Sequence, residues 1–143
     1  MMTEIRDGLR RAASKRKTGP FFIVDDDEDD RRMMTREIMF LFGDQKIETF
    51  ANGTQLLDRL KAEAKKGEVS FKKNKPRIIL LDLKMPGMGG LPTLRALQDD
   101  PQFSKIPVVM ISGSDSTDIA AASKDGASAA MPKPFSKNDW VFF

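Results

Sequence analysis

The chain contains neither cysteine nor histidine, and these two absences remove most of the chemistry a protein of this size could perform. Without cysteine there is no disulfide, thiolate metal site, iron–sulfur cluster or cysteine nucleophile, which favours an intracellular setting. Without histidine there is no Ser-His-Asp triad, imidazole zinc ligand or phosphohistidine carrier. No apolar stretch approaches the roughly 20 residues of a membrane helix, and no apolar core follows the basic N-terminus as a signal peptide requires. A cytoplasmic protein is expected. Carboxylates, hydroxyls and ammonium groups remain for chemistry.

What is present is enough for one domain with a real core: 143 residues, 40% hydrophobic and 31% charged. The net charge of +3 conceals segregation. Arg6, Arg10, Arg11, Lys15, Arg16 and Lys17 face only Glu4 and Asp7 in the first 20 residues, whereas Asp25 to Asp30 is an unbroken acidic run. Residues 1–19 are expected to form a basic extension, a disordered tail or a short amphipathic helix through Ile5, Leu9, Ala12 and Ala13, ahead of a folded unit over 20–143.

From residue 21 the pattern alternates. Phe21 to Val24 is a continuous apolar run that stops at the acids, as a strand buried on both faces does. Met33, Met34, Ile38, Leu41 and Phe42 recur at helical spacing behind a first turn rich in acids, with Gly43 at the end. Lys46 to Phe50 reads as a strand, and Asn52 opens a helix to Ala64. Lys65 to Lys75 reads as a polar loop. Arg77 to Leu83 is the most hydrophobic run in the chain, yet Asp82 stands near its end. Turn residues Met85 to Gly90 precede a helix over Leu91 to Asp99, and Ile106 to Ser112 is a fourth strand. A helix from Ser116 to Gly126 and a weak fifth strand over Ser128 to Met131 complete the series. Five strands alternating with helices imply parallel βαβ units in an α/β three-layer sandwich.

Ligands of open parallel sheets bind beyond the carboxyl ends of the strands. That edge gathers Asp25 and Asp26 after the first strand, Asp82 at the third, Ser112 at the fourth and Lys133 after the fifth. Three clustered carboxylates repel one another unless a cation sits among them, and an all-oxygen set with phosphate nearby suits Mg²⁺. The chemistry expected is phosphoryl transfer to an Asp. Each residue alone has an ordinary explanation: Ser112 as a strand end, Lys133 as a surface lysine, the acids as a solvated run. Asp27 to Asp30 are expected to serve the helix N-terminus.

The segments Phe22-Ile23-Val24-Asp25-Asp26, Leu80-Leu81-Asp82 through Gly90, Val109-Met110-Ile111-Ser112-Gly113 and Lys133-Pro134-Phe135 together resemble the receiver domain of two-component response regulators, over residues 20 to about 136. The long lysine-rich stretch before the third strand is similar to that of the stand-alone regulators that partner phytochromes. The resemblance implies a flavodoxin-like (βα)5 fold with strand order 2-1-3-4-5 and a fifth helix that is short or truncated. It implies Asp82 as phosphoacceptor, and Asp25, Asp26, Asp82 and the backbone carbonyl of Lys84 around Mg²⁺. Ser112 and Lys133 then bind phosphoryl oxygens, and the Lys133–Pro134 bond is cis. Its implied partners are a sensor histidine kinase or phosphotransfer protein, an unnamed downstream protein and, in some members, a second copy; a membrane or nucleic acid is not expected. The domain is then no enzyme in the ordinary sense, although it assists its own phosphorylation and dephosphorylation. Three departures stand out: Ala130 replaces the usual aromatic, Gly89 the usual Asp at the start of the helix that follows, and apolar residues Trp140 to Phe143 bunch at the end. The rival reading is a Mg²⁺-dependent phosphatase of the haloacid-dehalogenase type with Asp25 as nucleophile, which leaves Asp82 without a task.

Overall fold

The computed structural model describes residues 9–10, 13–14, 18–85, 87–112, 124 and 126–132. Its elements are β1 (Phe21–Val24), α1 (Glu28–Phe42), β2 (Ile47–Phe50), α2 (Gly53–Ala64), α3 (Glu68–Asn74), β3 (Ile78–Asp82), α4 (Gly90–Asp99), β4 (Val108–Ser112) and β5 (Ala129–Pro132). The strands form one sheet in the order β2-β1-β3-β4-β5, and all four pairings are parallel. The expected α/β fold is the observed one.

Strict alternation along the central strands splits the core in two. Phe22, Val24, Ile79, Leu81, Val108 and Met110 pack on one face with Leu56, Leu57 and Leu60 of α2, Phe71 of α3, and Leu94 and Leu97 of α4. Phe21, Ile23, Ile78, Leu80, Val109 and Ile111 pack on the other with Met34 and Ile38 of α1 and with Leu9 and Ala13. Right-handed crossovers explain this division. The connection from β1 steps outward to β2, so α1 lies on one face. The steps from β2 to β3 and from β3 to β4 run in the opposite direction along the sheet, so α2, α3 and α4 lie on the other.

Among the described residues the face with α1 therefore has a single crossover helix, and residues ahead of β1 help to cover it. Leu9 and Ala13, both helical, are 3% and 0% exposed. The Arg77 guanidinium donates from Nε to the Ala13 carbonyl at 2.7 Å and lies over the rings of Phe21 and Phe42, 5.4 and 5.5 Å from their centres. The basic extension is thus tied into the core at least at these two residues.

Residues 65–75, expected as a loop, contain α3. Phe71 is its anchor: buried, with its ring centre 5.7 Å from that of Phe103. One apolar contact per seven residues leaves no helical period in the sequence, so tertiary packing and not pattern makes this helix. The segment from Ser116 to Gly126, apart from residues 124 and 126, and everything after Pro132, where a short fifth helix is expected and Trp140 to Phe143 fall, lie outside the described residues.

Candidate functional site: an acidic cluster at the sheet edge

β1 and β3 are neighbours in register, Val24 opposite Leu81, so the residues that follow them emerge side by side. Asp25 is fully buried, Asp82 is 3% exposed and Asp26 is exposed. One carboxylate oxygen from each lies within 4.8 Å of the other two. Two apolar strands have carried two carboxylates into a desolvated position that neither would occupy alone.

The local backbone is built to hold them there. The Asp25 N–H donates to the Phe50 carbonyl at 3.0 Å, extending the β1–β2 ladder by one residue. Asp25 Oδ1 accepts from the Asp27 N–H at 2.9 Å, while its buried Oδ2 accepts no hydrogen bond from the described residues. Asp27 then caps α1, its Oδ1 accepting from the N–H groups of Asp29 and Asp30 at 2.8 and 3.2 Å. The acidic run has two tasks, as the sequence suggested: Asp25 and Asp26 face the edge, and Asp27 to Asp30 serve the helix.

On the β3 side, Asp82 Oδ1 accepts from the Lys84 N–H at 3.4 Å, a long contact, and the Leu83 N–H reaches the Ile111 carbonyl at 2.9 Å. The loop then doubles back, and the Gly90 N–H donates to the Leu83 carbonyl at 3.0 Å. A Cβ on Gly90 would fall 2.4 Å from the Asp82 carbonyl oxygen and 2.6 Å from the Leu83 Cα, so only glycine lets α4 start against the backbone of Asp82. Gly89, where an Asp is usual, caps α4 without a side-chain hydrogen bond.

Ser112 ends β4, one residue beyond Ile111, the register partner of Asp82, and pairs with Pro132 of β5. The backbone therefore brings Ser112 to the same edge; its side chain lies outside the described residues. Lys133, the Lys133–Pro134 bond and Gly113 also lie outside them. Pro132 ends β5, the edge strand of the described sheet, where a proline is tolerated.

The donor set fits a hard divalent cation. Three carboxylates converge, and one buried oxygen, Asp25 Oδ2, accepts no hydrogen bond from the described residues. Oxygen-only coordination by a few carboxylates with room for further oxygens is the pattern Mg²⁺ prefers.

One residue escaped the sequence reading. Arg31, on the first turn of α1, donates from Nη1 to the Asp25 carbonyl at 2.7 Å. The signal available was an arginine one turn behind the acids, indistinguishable in sequence from its exposed neighbours Arg32 and Arg36.

Residues 21–141 match the family model described as the response regulator receiver domain. The response regulator PleD of Caulobacter vibrioides is 47% identical over 60 residues, which are 41% of this chain and 13% of PleD. Among solved structures, a response regulator receiver domain from Rhodospirillum rubrum is 25% identical with a TM-score of 0.72, 86% of each chain being covered. The bacteriophytochrome response regulator RtBRR is 28% identical with a TM-score of 0.68, over 88% of this chain and 75% of that one. The chain spans less than half the length of the curated relatives it matches. The phosphatase reading finds no support in these likenesses.

Proposed function

The chain belongs to the response regulator receiver domain family, a family of phosphoacceptor signalling domains, and on that premise we propose that Asp82 accepts a phosphoryl group from the phosphohistidine of a sensor kinase or phosphotransfer protein. The observation that carries the reading is the convergence of Asp25, Asp26 and Asp82 within 4.8 Å at the carboxyl edge of the sheet. In this reading residues 20–143 are the receiver unit and residues 1–19 its extension.

Asp25, Asp26, Asp82 and the Lys84 carbonyl would hold Mg²⁺, which when bound offsets the charge on the phosphoryl oxygens. An Asp82 carboxylate oxygen attacks phosphorus in line with the leaving nitrogen. The new P–O bond forms as the P–N bond breaks, and the electron pair stays on the donor imidazole. Asp82 lies at the edge in a nearly dry position, where its attacking oxygen needs little desolvation. Ser112, the last residue of β4, and Lys133, next in sequence after β5, would take the phosphoryl oxygens by hydrogen bond and charge. The phosphorylated edge then signals to a downstream protein by contact. Among the described residues no helix is long and apolar enough to cross a membrane.

Incubation with acetyl phosphate and Mg²⁺, followed by intact-mass spectrometry, tests the proposal. The wild type should gain one phosphoryl group, and Asp82→Asn none. Equal labelling of the two proteins, or labelling of neither, would sink it.

A further inference from the structure

We infer that Arg31 is a positioning residue for the acidic edge: its guanidinium fixes the peptide joining Asp25 to Asp26 and thereby aims Asp26 at the metal position. The inference rests on the metal-dependent reading above and adds a residue to it.

Residues 25–27 belong to neither β1 nor α1, so after the last ladder bond at the Asp25 N–H no strand or helix fixes the backbone. The Asp25 carboxylate is tied through Oδ1 to the Asp27 N–H. Its carbonyl, which orients the next peptide plane, is held by Arg31 Nη1 at 2.7 Å. Turning that plane swings Asp26 about the chain. Repulsion among the three carboxylates favours such a turn, because Asp26 is the exposed member and the one with somewhere to go.

Arg31 is suited to oppose it. Helical side chains lean toward the N-terminus, so a residue in the first turn reaches back over the residues ahead of the helix. The first turn is itself anchored, the Arg31 N–H donating to the Asp27 carbonyl at 3.0 Å and the Thr35 hydroxyl to the Arg31 carbonyl at 2.8 Å. A guanidinium is planar and carries its donors in a fixed fork, so the bond is directional.

The rival role is a plain counter-charge, and the two roles differ in sign. A fixed cation beside the site repels Mg²⁺, so if charge is all that Arg31 contributes, removing it tightens Mg²⁺ binding. If Arg31 positions Asp26, removing it loosens binding.

Calorimetric titration of the unphosphorylated full chain with Mg²⁺ separates these outcomes without reference to phosphotransfer. Arg31→Met should weaken Mg²⁺ binding about tenfold, the equivalent of about 1.4 kcal/mol. Arg31→Lys should fall between it and the wild type, because an ammonium supplies charge and a donor but no fork. Raising the salt to about 1 M, where screening acts within about 3 Å, should leave the ratio between variants in place. Binding by Arg31→Met as tight as the wild type, or tighter, overturns the inference while leaving the proposed function intact. A wild type that binds no Mg²⁺ overturns both. If Arg31→Met shows no cooperative melt, Arg31→Lys decides: several-fold weaker binding at an unchanged melting temperature upholds the role, and wild-type affinity removes it.

Discussion

The two faces of the sheet are closed by different means. One is covered by α2, α3 and α4, each bound at both ends to elements of the fold, and α2 and α4 meet so closely that a Cβ on Gly53 would lie 1.9 Å from the Thr93 hydroxyl oxygen. Among the described residues, the other is covered by α1 and by Leu9 and Ala13, which precede β1 and lie outside every crossover between strands. Burial is equal: Leu56 and Leu9 are 0% and 3% exposed. Equal burial does not mean equal constraint, because a segment outside the crossovers can leave without unfolding the sheet, whereas a crossover helix cannot.

The same substitution on the two faces should break this comparison or establish it, and it is the largest effect expected. Leu56→Ala should lower stability by about 3 kcal/mol, the usual result of a cavity that the surroundings cannot close. Leu9→Ala should lower it by about 1 to 2 kcal/mol, because the loss is limited to the free energy that keeps residues 9–14 docked. Urea midpoints at an unchanged slope measure both. Equal losses would mean that the N-terminal segment is as firmly built in as α2.

A second measurement sharpens what closes the three-helix face at its rim. Arg59 grips Glu48 through Nε and Nη2 at 3.0 and 3.3 Å and donates to Glu63 at 3.1 Å, while Lys66 reaches Glu63 at 3.0 Å. The hydrogen bond from Lys66, then that from Arg59, hold the Glu63 carboxyl below the usual carboxylate range against the opposing effect of burial. A carboxyl whose pKa is lower folded than unfolded stabilises the fold above its unfolded value, near 4.3, and that contribution drains away as pH falls through the folded value. Glu63→Gln should therefore be less stable at neutral pH, and below about pH 4 its stability should fall less steeply than that of the wild type. Denaturation at stepped pH would show it; parallel curves would remove Glu63 from the account.

The smallest effect concerns slack left in the same face. Gly89 has an ordinary φ of −73°, and a Cβ there would meet nothing closer than 3.4 Å. Gly89→Asp should cap α4 and raise stability by about 0.5 kcal/mol, read as a small rise in melting temperature. A fall would mean that a fourth acid near Asp82 outweighs the cap.

These contrasts also explain what was legible in the sequence. β1 and β3 were, because short apolar runs that end on Asp25 and Asp82 carry their own boundary, and the acidic edge followed from parallel topology. Phe71 gave no sign of α3, since its partner Phe103 is remote in sequence. Leu9 and Ala13 were visible as an apolar stripe, but the face they cover exists only once the crossovers have been dealt to one side or the other. Arg31 was hidden for a different reason: its task is a hydrogen bond to a backbone carbonyl, and no residue pattern encodes a carbonyl.

The clasp between Arg77 and Ala13 has a consequence for the order in which the chain folds. It joins positions 64 apart in sequence, with β1, β2 and the helices between them lying in the interval. Leu9 and Ala13 have no docking surface until β3 has paired with β1, so a segment that precedes the sheet in sequence settles after it. Contacts of such long range form late, after their loop-closure entropy has been met by the sheet. A kinetic probe at residue 9 should accordingly report a later event than one at residue 56, with the sheet already assembled when the N-terminal segment arrives.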